Sequence, residues 1–170
     1  AVLDAFKVDQ VWTNGQGEDS LTYIDFANKV NAENADIQVA RRGGAISTGN
    51  LTFKVLNPEA SLPSDVNGNS IVLELDYGNV SFLFTGDAQK DTEASMIAAG
   101  EIHNIDILKV VHHGSETSSS QEFLVTFSQM KVCPLFYRLS PCRKTQRRIN
   151  SNYHGFASLY SLQHFLILVD

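Results

Sequence analysis

The sequence predicts a layered α/β fold. Short strands rich in Val, Ile, Phe and Leu, at 37–40, 51–56, 70–75 and 80–85, are separated by turn residues. Amphipathic helical stretches flank them, and a further strand at 105–111 is apolar on both faces apart from Asp106 and Lys109, the pattern of a strand covered from two sides. The length of 170 residues suits one domain, and 43% hydrophobic with 19% charged residues excludes a disordered or fibrous chain.

The elements follow in order. Val2, Leu3, Phe6, Val8, Val11 and Trp12 form a short helical pattern running into a strand that stops at Asn14-Gly15. Behind Ser20, a residue able to cap a helix, the apolar positions Leu21, Ile24, Ala27 and Val30 recur at helical spacing. Gly78-Asn79 between 70–75 and 80–85 predicts a tight hairpin, since these residues accept positive φ. A helix over 91–99 is ended by Gly100, and Ser119-Ser120-Gln121-Glu122 reads as a capping box before a helix over 123–127.

Charge divides the chain at about the same place that this regularity stops. The net charge is −6, yet 18 of the 19 carboxylates precede residue 123, whereas six of the 13 Lys/Arg fall in 131–148. We therefore expect an organised domain over 1–128 and a divergent or frame-shifted tail over 129–170. Cys133 and Cys142 lack the spacing of a zinc knuckle or redox pair. No apolar run reaches the roughly 18 residues a membrane span needs, so no transmembrane segment is expected in this chain. The opening Ala1-Val2-Leu3 has neither an initiator Met nor a signal pattern, and reads as the middle of a longer chain.

The residues able to carry chemistry stand at strand ends. Phe84-Thr85-Gly86-Asp87 closes one strand and Lys109-Val110-Val111-His112-His113-Gly114-Ser115 closes another, so that a carboxylate and an imidazole could converge on one cleft. Asp offers hard anionic oxygen and His a neutral nitrogen, both ligands for zinc, iron or manganese. Alone, each motif has a plainer explanation: Thr-Gly-Asp is common in turns, and a His pair can be satisfied in a core.

Together with Asn69-Ser70-Ile71-Val72-Leu73-Glu74-Leu75, these stretches resemble the metallo-β-lactamase-like domain of the ComEC competence proteins and their soluble relatives, over roughly residues 1–127. The resemblance implies a metallo-β-lactamase-like αβ/βα sandwich with a metal site along one edge of its two sheets, here incomplete at the N-terminus. It implies Asp87 as a carboxylate bridging two divalent metal ions, zinc first and manganese second. One of His112 and His113 would be the terminal ligand, with His113 favoured because related enzymes place that ligand directly before Gly; Asp87 and His113 are then the catalytic candidates. Asn69, Ser70, Lys109 and Ser115 are the substrate-facing candidates, with Lys109 placed to meet an anion.

The same resemblance implies a metal-dependent hydrolase acting on a phosphodiester, with DNA during uptake as the named candidate. The parent would be attached to a membrane protein and would face outward from the cytoplasmic membrane. Two departures limit this. The family's H-x-H-x-D-H motif is nowhere in the chain, so the fragment itself is expected to be inactive, and Asn150-Ser151-Asn152-Tyr153-His154-Gly155 only echoes the family's later loop. The alternative is a non-catalytic module that binds nucleic acid or a protein through the basic segment 131–148.

Overall fold

The computed structural model describes residues 2–103, 105–109, 112 and 115–127, together with the backbone of two strands at 131–133 and 165–168. A 3-10 turn at Val2–Asp4 stands where a short helical pattern was expected. Strand β1 (Gln10–Thr13) follows, then helix α1 (Leu21–Glu33) and strand β2 (Asp36–Val39), which lies parallel to β1. Ser20 caps α1 by accepting the Tyr23 N–H, and Asn34, in the left-handed region, closes its other end.

Next come β3 (Ala45–Thr48), β4 (Leu51–Asn57), β5 (Val72–Tyr77) and β6 (Val80–Phe84), joined as antiparallel neighbours. The β5–β6 hairpin closes on Gly78-Asn79, with Tyr77 opposite Val80; Gly78 alone takes positive φ, the pattern of a type II′ turn. Helix α2 (Lys90–Ala98) runs to Gly100, whose φ of 67° gives the left-handed exit expected of it. Strand β7 (Ile107–Lys109) then pairs parallel with β6, and α3 (Gln121–Val125) follows. From the 129–170 segment, β8 (Lys131–Cys133) pairs parallel with β7 and β9 (Phe165–Leu168) pairs antiparallel with β1. The rest of that segment, including Cys142, the remainder of the basic run after Cys133 and the Asn150–Gly155 loop, lies outside the described residues.

The strands form two sheets, ordered β2-β1-β9 and β3-β4-β5-β6-β7-β8. Alternation along each strand assigns their faces. Leu56, Val72, Leu83 and Leu108 turn one face of the larger sheet toward Met96 of α2 and Phe123 of α3. Phe53, Val55, Leu73 and Leu75 turn the other face toward Trp12 of the smaller sheet. The far side of that sheet packs Val11 against Val30 and Phe26 of α1. The layers thus run helix, sheet, sheet, helices: the mixed α/β sandwich that the sequence predicts. Each fully buried Leu, Val or Phe contributes about 1.5–3 kcal/mol, so the layers hold chiefly through these three clusters. Among the described residues no helix is long and apolar enough to cross a membrane.

Candidate functional site at the ends of two parallel strands

Parallel pairing sends β6 and β7 out of the sheet at the same edge, with Phe82 opposite Ile107 and Leu83 opposite Leu108. What each strand carries next is therefore brought to one place. The Thr85 hydroxyl donates to the Lys109 carbonyl at 3.0 Å. One step further out, the His112 N–H donates to the Gly86 carbonyl at 3.2 Å. These two bonds, one from a side chain and one from the backbone, tie the residues beside Asp87 to Lys109 and His112.

Gly86 is required here. Its φ is 53°, and an added Cβ would come 3.1 Å from the Ser70 Cβ, closer than ordinary packing allows. The close approach lets the Ser70 hydroxyl accept the Asp87 N–H at 3.2 Å. Asp87 itself is only 3% exposed. Ser70 is in turn held by a buried amide network. Asn57 donates to the carbonyls of Gly68 and Ser70, both at 2.8 Å, and Asn14 donates to the Asn69 carbonyl at 3.1 Å. The Asn69 amide, fully buried, donates to Gln16 at 2.9 Å and to the Pro63 carbonyl at 2.8 Å. Asn69 and Ser70 thus brace the Asp87 loop from beneath.

Lys109 shares the sheet face of Phe82 and Phe84, opposite to Leu108, and is partly buried. Burial lowers the pKa of its ammonium below the usual lysine range, while the neighbouring Asp87 carboxylate works in the other direction. His112 is half-buried and holds its backbone at φ 44°. For a residue with a Cβ that conformation costs about 1–2 kcal/mol, and such strain gathers at functional sites. Ser115 donates its N–H to the His112 carbonyl at 2.9 Å, and its hydroxyl meets the Thr117 hydroxyl at 2.9 Å, which organises the turn after the histidines. His113 and Gly114 lie outside the described residues.

The donor set can be compared with what a metal requires. Zinc takes about four ligands, and even a catalytic site supplies three from the protein. Among the described residues no group of three or more His, Cys, Asp or Glu side chains could hold an ion. Asp87 and His112 by themselves fall short of that number.

Sequence reading overlooked Thr85, Asn14, Asn57 and Glu93. Glu93 is fully buried at 0% exposure and accepts the N–H groups of Ser119 and Ser120 at 2.6 and 2.8 Å. It also corrects the capping box. The N-cap of α3 is Ser120, accepting from Phe123, so Glu122 does not occupy the box's third position, and the reciprocal acceptor comes from α2. In the sequence Glu122 stands at the right spacing for Ser119 but not for Ser120, the residue that caps the helix, and nothing local points to Glu93.

Over 92 residues the chain is 37% identical to ComE operon protein 3 of Bacillus subtilis (strain 168), a stretch covering 54% of this chain and 12% of that protein. Its relatives are ComEC-like competence proteins. Over 74 residues it is 40% identical to Recombination protein 2 of Haemophilus influenzae, covering 44% of this chain and 9% of that one. Over 76 residues it is 38% identical to Competence protein ComA of Neisseria gonorrhoeae, covering 44% and 11%. The chain thus matches only about a tenth of the length of these competence-protein relatives. No protein-family model matches the chain.

Proposed function

We propose that the chain carries one half of the active site of a metal-dependent hydrolase of the metallo-β-lactamase superfamily, a phosphodiesterase or nuclease serving DNA uptake. The observation that carries this reading is the His112 N–H to Gly86 carbonyl bond at 3.2 Å, which joins a carboxylate-bearing strand end to an imidazole-bearing one. Homology to competence proteins over about half of the chain supports DNA as the substrate class. In this reading Asp87 and His113, with His112 beside them, supply donors to zinc or manganese, and the remaining ligands come from a preceding segment of the parent protein. Ser70 and Asn69 fix the Asp87 loop. Lys109 and Ser115 border the space in which a phosphate would sit. The chain by itself is expected to be inactive, because the donors among the described residues fall short of a complete coordination sphere.

The test restores the missing half. Joined to the segment that precedes the matching stretch in the Bacillus subtilis relative and supplied with zinc or manganese, the chain should bind about two ions and hydrolyse a simple phosphodiester. Asp87→Ala should abolish both. A joined protein that stays metal-free and inert contradicts the reading. The skewed charge, with six Lys/Arg in 131–148, favours a second reading, a non-catalytic module that binds nucleic acid. It predicts metal-free protein whose nucleic-acid affinity falls steeply with salt.

A further inference from the structure

We propose that Glu93 is a positioning residue that clamps the loop after His112 onto the helix after Asp87, and so sets the spacing between the two strand ends. The inference rests on the reading of those strand ends as one site. Glu93 lies one turn into α2, the helix that begins three residues beyond Asp87. Its side chain is fully enclosed, and each carboxylate oxygen receives one backbone N–H, from Ser119 at 2.6 Å and from Ser120 at 2.8 Å. A third link runs the opposite way, since the Lys90 N–H at the start of α2 donates to the Thr117 carbonyl at 3.2 Å.

These bonds do more than finish a helix. A single N-cap serves α3 already, because the Ser120 hydroxyl accepts the Phe123 N–H at 3.2 Å. Glu93 adds a crosslink between segments 26 and 27 residues apart. Ser119, at φ 56°, turns the backbone so that two successive N–H groups point at one carboxylate. The loop it grips is short and internally tied. Ser115 N–H bonds the His112 carbonyl at 2.9 Å, and Ser118 N–H bonds the Ser115 carbonyl at 3.3 Å. The chain of bonds from Glu93 through Ser119, Ser118 and Ser115 thus ends on His112, whose own N–H returns to Gly86 beside Asp87. The ring is closed: α2, loop, His112, Gly86, Asp87, α2. Opening it at Glu93 frees the histidine side of the site while leaving the Ser70 support of Asp87 in place.

Amide hydrogen exchange on the 170-residue chain tests this directly, with the His112 N–H as reporter of the distance between the strand ends. Glu93→Gln keeps the shape but turns a donor toward one of the two N–H groups, whereas Ser120→Ala removes the α3 cap and leaves the Glu93 carboxylate. Exchange at Ser119, Ser120 and His112 should quicken together, about 10-fold or more in E93Q, with Leu83 and Leu108 unchanged. S120A should quicken α3 without His112. If E93Q moves Ser119 and Ser120 but leaves His112 at the wild-type rate, or if S120A moves His112 equally, Glu93 is a helix cap and the proposal is wrong. A zinc titration of the chain joined to the preceding segment adds a second readout: with E93Q the joined protein should bind about 10- to 100-fold more weakly than without it. A joined protein that takes up no zinc would count against the site reading alone, and the exchange result would still decide the clamp.

Discussion

The two strand ends that meet at the candidate site are held in different ways. Behind Asp87 stands a buried network in which Asn14 and Asn57 donate to the Asn69 and Ser70 carbonyls and the Ser70 hydroxyl accepts the Asp87 N–H from the core side. The His112 arm is reached by a different route. That arm is held from its far end, by backbone bonds along a short turn and by the Glu93 clamp. The carboxylate side is thus braced from the core, while the imidazole side is tied through its loop to α2. Damage to the first should unfold the protein, and damage to the second should loosen the site within a folded protein.

The largest expected effect breaks the carboxylate side. Asn57→Ala removes the side-chain donor to the buried Ser70 carbonyl, while the Gly68 carbonyl keeps the Thr92 hydroxyl at 3.3 Å; the loss of about 1–3 kcal/mol or more should lower the denaturant midpoint with an unchanged slope. Gly86→Ala follows, because it forces a Cβ into Ser70 at a positive φ. We expect a loss of about 1–3 kcal/mol, measured by the same unfolding curve. On the imidazole side the effect on stability should be small and can reverse sign. His112→Gly relieves the left-handed strain, so the fold should hold or gain up to about 1 kcal/mol while any zinc affinity falls. A large loss of stability in H112G would erase the contrast between the two arms.

The smallest effect is a control placed away from the site. Glu74, buried on the helix-facing side of β5, has its pKa raised by desolvation, opposed by His103 with a ring nitrogen 3.9 Å away. A folded pKa above the unfolded one stabilises the fold at low pH, and that contribution is lost as pH rises through the folded value. Glu74→Gln should therefore melt above wild type at neutral pH, with the two converging below about pH 4. Thermal melts across that range check the sign, and neither strand end should respond.

How much of this was legible follows from what each residue depends on. Strands β4, β5 and β6, helix α1 and the Gly100 stop were readable because their signals are local: apolar alternation, a capping Ser, a glycine at a positive φ. Strand β3 was missed because Ala45–Thr48 has one buried apolar residue, Ile46, and stands between glycines that read as loop. Its strand character comes from pairing with β4. Asp87 and the His112-His113 pair were noticed because carboxylate and imidazole stand out at strand ends. Glu93 was not noticed, since a first-turn acid on a helix usually serves the helix dipole. Its role depends on a partner loop that sequence spacing does not bring near. The Asn network was invisible for the same reason, as its links reach across 55, 53 and 13 residues.

The account stands on Asp87 and His112 sharing one space, and an NMR titration with Mn2+ of the chain joined to the preceding segment tests it most directly. Paramagnetic broadening should strike the amides of Gly86, Asp87, His112 and Ser115 together and vanish in Asp87→Ala. Broadening confined to one of the two stretches, or persisting without the Asp87 carboxylate, would contradict it.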